Sequence, residues 1–216
     1  MKTIRDRSLY LVISEEYAMG RSALEVARRA IAGGVDMIQM REKARPDQEL
    51  VDMAKALSAL CRRSGVIFIV NDDPSLAGRA DADGVHLGQG DMARFPVKTV
   101  RGIVGPDRLI GVSTHSLDEL RKAMDEDIDY LAFGPVFPTK TKDYSIGTED
   151  VKRAAGIARK PVFFIGGIDL SNIDIVLGEG GRNIALIRDI TEADDIETRT
   201  RQLKERIVGY KEARVA

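Results

Sequence analysis

Basic and amide side chains occupy alternate positions at the end of one predicted strand. They are Gln39, Arg41 and Lys43, in the segment Gln39-Met-Arg41-Glu-Lys43. Successive side chains of a strand point to opposite faces, so these three share one side if the strand extends that far. Two cations and an amide on one edge suit a polyanion. The alternative is a surface ion pair between Arg41 and Glu42, since most exposed charges are solvated.

Carboxylates follow the next two predicted strands. Asp72 lies in Asn71-Asp72-Asp73-Pro74, directly after a continuous apolar run, and Asp91 follows the run that contains His86. Magnesium takes hard oxygen ligands, usually one or two carboxylates beside substrate phosphates. If Asp72 and Asp91 converge, they form such a site. For Asp73, next to Pro74, we expect a helix cap instead.

The two histidines of the chain stand in different settings. His86 lies inside the apolar run Gly84-Val-His-Leu87. At such a position, a structural histidine with its hydrogen bonds satisfied is more common than a catalytic base. His115 follows Ser113 at a strand end, where general acid–base groups are found, so its role stays open. Ser113 can donate or accept a hydrogen bond at the same edge.

The later loops carry features of a phosphate site. Thr139, Lys140, Thr141 and Lys142 interleave hydroxyls with lysines, although a flexible solvated loop has a similar composition. Gly166-Gly167 would let the backbone approach a ligand closely. In barrels of parallel strands, the loops after strands seven and eight form the customary phosphate site, and Arg188 falls beside it. A phosphorylated acceptor and a diphosphate donor are the simplest pair of ligands for two such anion sites.

Short apolar runs alternate with amphipathic stretches to position these side chains. Eight strand–helix units in one domain favour a closed (β/α)₈ TIM barrel over an open sheet, and no Gly-x-Gly-x-x-Gly follows the first strand. We expect one domain over residues 1–216. Ser22 and Ser116 each open a helix as a capping box with a glutamate three residues on. The predicted strands are 9–13, 35–40, 66–70, 84–87, 109–113, 130–133, 162–165 and 184–187, and the main helices 47–63, 149–159, 171–177 and 192–210.

Composition excludes several classes of protein. A formal net charge of −1 gives no global attraction to nucleic acid or anionic membranes. Cys61 is the only cysteine, so an intrachain disulfide is excluded and a thiolate metal site is not expected. The apolar run Leu9 to Ile13 is too short for a signal peptide. We expect a cytoplasmic enzyme of small molecules, without nucleic-acid or membrane partners. The sequence does not define an oligomeric state, although a homodimer is compatible with it.

Taken in chain order, six segments resemble thiamin phosphate synthase. They run from the second strand to the end of the seventh, and six matches in one order are specific where any one could be chance. The segments are Gln39-x-Arg41-Glu42-Lys43, Asn71-Asp72, Asp83-Gly-Val-His-Leu-Gly88-Gln89-x-Asp91, Gly111-Val-Ser113, Gly134-Pro-x-Phe-x-Thr139-x-Thr141-Lys142 and Ile165-Gly166-Gly167-Ile168.

The resemblance implies a reaction and a set of roles. The enzyme would join hydroxymethylpyrimidine diphosphate to thiazole phosphate, releasing pyrophosphate, with Mg²⁺ held by Asp72 and Asp91. In this family the bond to pyrophosphate breaks first, and the thiazole nitrogen captures the pyrimidine carbocation. The diphosphate would be held by Gln39, Arg41, Lys43, Asn71 and Lys142. Ser113 would bond to the aminopyrimidine, and the thiazole phosphate would be held by Thr139, Thr141, Gly167 and amides near Ile187. The catalytic residues would be Arg41, Lys43, Ser113 and Lys142.

One departure from the family pattern concerns the acceptor site. The family usually has a serine after the aliphatic pair that ends strand eight, whereas here Ile187 is followed by Arg188 and Asp189. Our hypothesis is that Arg188 contacts the acceptor phosphate; the alternative is that it pairs with Asp189. Rival functions are a related thiazole tautomerase, for which His115 would serve, and a non-catalytic thiazole-phosphate sensor. Neither explains the two carboxylates together with the basic residues.

Overall fold

The computed structural model describes residues 2–42, 45–139 and 144–211. Eight parallel strands close into a barrel in which each strand pairs with its neighbours in chain order and β8 pairs with β1. This confirms the predicted (β/α)₈ TIM barrel. The strands are β1 Leu9–Ile13, β2 Met37–Met40, β3 Ile67–Asn71, β4 Gly84–Leu87, β5 Leu109–Thr114, β6 Tyr130–Phe133, β7 Val162–Ile165 and β8 Asn183–Leu186.

Helices surround the barrel in the described parts of the chain. After a 3₁₀ turn at Glu15–Tyr17, they are α1 Ala23–Ala32, α2 Asp47–Ser64, α3 Pro74–Arg79, α4 Gln89–Arg94, α5 Val97–Val104, α6 Leu117–Met124, α7 Gly147–Ile157, α8 Ile173–Gly178, α9 Arg188–Thr191 and α10 Ile196–Gly209. No helix in the described residues is long and apolar enough to span a membrane.

The apolar core has two layers, one on each side of the strands. The strands are therefore buried on both faces, which explains runs such as Leu9–Ile13 whose five residues are all buried. The outer layer lies between strands and helices. The inner layer fills the barrel with side chains from seven strands: Tyr10, Met37, Ile67, Ile69, Leu109, Tyr130, Phe163 and Ala185.

Several predicted boundaries were wrong, each for a local reason. The sequence interpretation placed no helix between β4 and β5, where α4 and α5 occur, separated by Pro96. The last long helix begins at Ile196 rather than near Glu192. Asp195 caps it by accepting from the Thr198 backbone N–H at 3.1 Å, so the cap signal lay three residues farther on.

The two predicted capping boxes are half formed. Ser22 and Ser116 each accept a hydrogen bond at 3.2 Å from the backbone N–H three residues later, as predicted. The glutamates do not return the bond to the capping serine. Glu25 accepts instead from Arg29, and Glu119 accepts from the backbone N–H of His115 at 2.7 Å. The second carboxylate thus fixes the residue that follows β5.

A repeated side-chain contact closes the face of the barrel where the strands begin. Just before an even-numbered strand, an aspartate accepts a hydrogen bond from the backbone N–H of the first or second residue of the preceding strand; we call these contacts the clasps. The three clasps are Asp36 with Leu9 at 2.7 Å, Asp83 with Phe68 at 2.8 Å and Asp129 with Ile110 at 2.8 Å. At the start of β8, Asn183 accepts from Ser8 at 3.0 Å and donates to the Val162 carbonyl at 3.5 Å.

Candidate active site

A chain of hydrogen bonds crosses the barrel interior and reaches Ser113, near the end of β5. The Gln39 amide nitrogen contacts the Tyr10 hydroxyl, which lies 3.1 Å from the Tyr130 hydroxyl. The Tyr130 hydroxyl lies 3.1 Å from His86 Nδ1, and His86 Nε2 lies 2.8 Å from Ser113 Oγ. The five side chains come from β2, β1, β6, β4 and β5, and we call them the interior relay. Two predicted substrate-binding residues, Gln39 and Ser113, are therefore its two ends.

Burial controls the protonation of the relay. The loss of solvation lowers the pKa of His86 to about 4, against a weaker opposing effect of Asp91, so the ring is neutral near pH 7. Burial also raises the pKa values of Tyr10 and Tyr130 well above the usual range for tyrosine. Both ring nitrogens of His86 have partners, which confirms the interpretation of His86 as a satisfied structural histidine.

A missing side chain makes room for the relay. A Cβ atom on Gly111 would lie 2.0 Å from Cζ of Tyr130, which pairs with Gly111 in the sheet register. Only glycine is compatible with this ring position. The glycine of the Gly111-Val-Ser113 motif therefore leaves space for the aromatic ring of Tyr130 rather than for a ligand.

The predicted metal ligands both lie next to the β4 segment. Asp72 has a φ of 65°, a conformation that is uncommon for a residue other than glycine, and its backbone N–H donates to the His86 carbonyl at 2.8 Å. Such strained residues cluster at functional sites. Asp91, in α4, accepts from the Gly88 backbone N–H at 3.0 Å. Asp73 caps α3 by accepting from two backbone N–H groups, as predicted.

This donor set was tested for its fit to a divalent cation. Within residues 2–42, 45–139 and 144–211, no group of three or more His, Cys, Asp and Glu side chains could hold a metal ion. Magnesium is usually bound through one or two carboxylates, with substrate phosphates and water completing its shell. Asp72 and Asp91 would supply two carboxylates, a number that magnesium usually takes from protein, so these residue types fit an ion whose other ligands are phosphate and water.

The side chain of Arg41 is free of protein counter-ions in the described part of the chain. The Arg41–Glu42 ion pair considered above does not form. Glu42 instead accepts from the Glu15 backbone N–H at 2.6 Å, and burial raises the pKa of its carboxyl group. Glu42 thereby ties the loop after β2 to the loop after β1. Arg41 remains a partly buried cation at the strand end, available to an anion.

The glycines after β7 accommodate a neighbouring loop. Gly166 and Gly167 both have positive φ, and added Cβ atoms would lie 2.4 Å from Pro135 and 2.7 Å from Phe137. The backbone N–H of Phe137 donates to the Gly166 carbonyl at 3.0 Å. The close approach inferred from these glycines is thus made by the loop after β6, which is held against the end of β7.

The region after β8 excludes one of the two alternatives weighed for Arg188, the pair with Asp189. The guanidinium lies 4.3 Å from the centre of the Tyr17 ring, and its Nε is 3.5 Å from Glu192. Asp189 pairs with Arg199, so an Arg188–Asp189 pair was the wrong alternative. Burial raises the pKa of Asp189. Ile187 directly precedes α9.

Three predicted ligands fall outside the described residues: Lys43, Thr141 and Lys142. Thr139 is the last described residue before the second gap. Of the remaining predicted ligands, Asn71 and Ser113 adjoin His86. Asn71 pairs with His86 in the sheet register, and the Ser113 carbonyl accepts from the Gln89 amide.

Comparison with known proteins decides the family. The sequence profile described as thiamine monophosphate synthase matches residues 9–190, a range that includes all eight strands. The chain belongs to this family. The predicted family, and at its level the predicted transferase function, are therefore confirmed.

Relatives within the thiamine monophosphate synthase family match most of the chain. A thiamine-phosphate synthase of Thermosynechococcus vestitus is 40% identical over 209 residues, 96% of this chain and 58% of that protein. One of Halalkalibacterium halodurans is 38% identical over 197 residues, 90% of this chain and 92% of that protein. The solved thiamine phosphate pyrophosphorylase of Pyrococcus furiosus is 34% identical with a TM-score of 0.86, covering 94% of this chain and 96% of that one. The chain thus spans over half of the first relative and nearly all of the other two.

Three tyrosines that contact predicted site residues or the interior relay were not singled out from the sequence. Tyr10 and Tyr130 stand within apolar strands and were included in the core, and Tyr17 was not singled out. A buried tyrosine hydroxyl needs a partner, so two tyrosines inside strands were a usable signal for a polar interior. No pattern in the sequence indicated that the Tyr17 ring contacts the Arg188 guanidinium.

Proposed function

We propose that this chain is a magnesium-dependent thiamine-phosphate synthase that joins hydroxymethylpyrimidine diphosphate to thiazole phosphate. The observation that carries the proposal is the family match over residues 9–190, because it includes the loops after all eight strands. Arg41, which has no acidic partner in the described residues, and the strained Asp72 support it, since both suit a diphosphate with its cation. A sensor that only binds thiazole phosphate would need neither.

The two substrates are placed on opposite sides of the barrel end where the strands end. Arg41, with Lys43 and Lys142, neutralises the diphosphate, and Gln39 and Asn71 lie on the same edge as amide ligands. Ser113 bonds to the aminopyrimidine. The thiazole phosphate lies on the opposite side, against the loops after β6 to β8. Its proposed ligands are Thr139, Thr141, Gly167, the amides near Ile187, and Arg188.

The reaction needs charge neutralisation more than proton transfer. The bond from the pyrimidine methylene carbon to the diphosphate oxygen breaks, and its electron pair leaves with pyrophosphate. The lone pair of the thiazole nitrogen then forms the new carbon–nitrogen bond. The nucleophile has no proton to lose, so no general base is required. A Mg²⁺ ion held by Asp72 and Asp91 would supply charge neutralisation for the leaving group.

Asp72 provides the sharpest test of this function. The purified protein with both substrates and Mg²⁺ should release thiamin phosphate and pyrophosphate in equal amounts, and EDTA should abolish both. Asp72→Asn should lose this activity or need far more Mg²⁺. Asp73→Asn is the matched control, because asparagine caps a helix as well as aspartate and α3 keeps its start. Turnover that is insensitive to EDTA, or equal loss in both variants, would contradict the metal assignment.

Arg188 tests the acceptor side. If its guanidinium moves from Tyr17 to bind the thiazole phosphate, Arg188→Ala should raise the KM for that substrate and leave the KM for the pyrimidine substrate unchanged. Arg201→Ala, on the exposed side of α10, is the control. An unchanged acceptor KM would remove Arg188 from the site.

A thiazole tautomerase is the second candidate, and His115 is the observation that favours it. Its Nδ1 lies 2.6 Å from the Gly134 carbonyl, which can only accept, so in a neutral ring Nε2 carries the lone pair of a base. Synthase turnover needs no such base. His115→Asn should therefore leave thiamin phosphate formation nearly intact and abolish a tautomerase activity. Loss of synthesis alone would assign His115 to the main reaction.

Three further properties stay predictions. They are a cytoplasmic location, a homodimeric state, and a single domain over residues 1–216. Gel filtration with light scattering tests the second, and limited proteolysis tests the third.

A further inference from the structure

The interior relay has a direction, and the direction follows from its first member. An amide nitrogen can only donate, and the Gln39 nitrogen is the atom that contacts Tyr10. Tyr10 accepts this bond, and Tyr130 is the other partner of its hydroxyl among the described residues, so the buried Tyr10 proton is directed to the Tyr130 oxygen. Tyr130 in turn directs its proton to His86 Nδ1, the remaining partner of its hydroxyl in the described part of the chain.

The tautomer of His86 follows from the same order. A neutral imidazole that accepts at Nδ1 carries its proton at Nε2. That proton points at Ser113 Oγ, 2.8 Å away, so Ser113 accepts at this end. The Ser113 hydroxyl keeps its own proton outside the relay. Burial prevents water from reorienting the relay, because Gln39, Tyr10, Tyr130 and His86 are each at most 5% exposed.

We propose that the interior relay fixes Ser113 as a hydrogen-bond donor toward the bound pyrimidine and thereby selects a substrate with a ring nitrogen, an acceptor, at that position. This rests on the proposed function, which places the aminopyrimidine against Ser113. The aminopyrimidine offers ring nitrogens that accept and an exocyclic amine that donates. A fixed donor distinguishes these two edges of the ring, whereas a freely rotating hydroxyl would bond to either. Tyr10, Tyr130 and His86 are positioning residues in this scheme.

The tautomer can be observed without any substrate. The chain has only two histidines, so ¹⁵N-labelled protein gives two ring systems, and His115→Asn assigns them. His115 serves as an internal reference of the opposite kind, because its Nδ1 must donate to the Gly134 carbonyl. We expect the Nε2–H tautomer for His86 and the Nδ1–H tautomer for His115. An Nδ1–H tautomer at His86 would reverse the relay and overturn the proposal.

The consequence for binding can be measured with the pyrimidine substrate alone. By calorimetry, Ser113→Ala and Tyr130→Phe should each weaken binding of hydroxymethylpyrimidine diphosphate by about three- to tenfold, the effect of one hydrogen bond. Because both act through the same bond, the double variant should be no weaker than the worse single one. Tyr210→Phe, far from the relay, controls for loss of a tyrosine hydroxyl. A Tyr130→Phe variant that binds like the wild type would overturn the proposal.

The same experiments separate this inference from the function on which it rests. If the wild-type protein binds no pyrimidine diphosphate, the proposed function fails, whatever the histidine spectrum shows. If the wild type binds but an analogue with carbon in place of the ring nitrogens binds equally well, the function stands and the donor role of Ser113 fails.

Discussion

The two ends of the barrel differ in how some of their charged side chains are paired. Where the strands begin, charged side chains neutralise one another: Lys204 pairs with Asp36, Lys2 with Asp83 and Arg101 with Asp129. Where the strands end, Arg41 has no acidic partner in the described residues and Asp72 adopts a strained conformation. Parallel barrels place stability at the first end and chemistry at the second. We therefore expect a ligand, rather than the protein, to supply the counter-ion of Arg41.

The largest expected effect is at Arg41. Replacing Arg41 by glutamine removes a preorganised cation from the leaving diphosphate, and such losses lower kcat by about 10²–10³-fold. The melting temperature should not change, because Arg41 has no ion pair to lose. Arg62→Gln at the opposite end is the control, since Arg62 pairs with Asp81 on the surface. Steady-state kinetics and thermal melts on both variants show whether the two ends of the barrel differ in their contribution to catalysis. Equal losses of kcat in the two variants would contradict that difference.

The barrel interior should respond to pH. The folded-state pKa of His86 is about 4 and the unfolded value about 6.5, so the unfolded chain binds more protons between these values. Stability is therefore full above pH 6.5 and falls as the pH drops toward 4, by about 3 kcal/mol from this group alone. Urea unfolding in EDTA at several pH values measures the slope. His86→Gln should flatten it, and a slope unchanged in that variant would assign the effect to other groups.

A clasp should affect stability and leave chemistry alone. Asp83→Ala leaves the Phe68 backbone N–H without its acceptor and Lys2 without its ion pair. An unsatisfied buried donor costs about 1–3 kcal/mol. Asp83→Asn keeps an acceptor oxygen and should lose less. Chemical unfolding ranks the variants, with kcat unchanged in both; a fall in kcat would mean that the two ends are coupled.

The smallest effect is expected at exposed ion pairs. Arg159 and Asp125 are both more than half exposed, and pairs of this kind contribute little to stability. Arg159→Gln should shift neither the unfolding midpoint nor kcat. A measurable loss would show that exposed pairs at the strand-start end act as a network with the clasps.

Much of the fold follows from pattern, because each strand is an apolar run buried on both faces. Boundaries failed where a side chain overrode the pattern, as Asp195 does at the start of α10. The candidate site was likewise predicted in part. Charged and amide residues at strand ends were visible as Gln39, Arg41 and Asp72. The relay was not, because Tyr10 and Tyr130 look like core residues until the barrel brings them together across 120 residues of chain.

The clasps give the barrel a repeat of two strands that is not apparent from the sequence. Each of three strand pairs, β1–β2, β3–β4 and β5–β6, has one aspartate clasp. The fourth position carries Asn183, whose amide both accepts and donates and so reaches β1 on one side and β7 on the other. This is the seam at which the chain closes on itself. Backbone pairing runs on across the junctions, with four register pairs between β2 and β3 as between β1 and β2, so the clasps add a two-strand rhythm to a ring that is otherwise continuous.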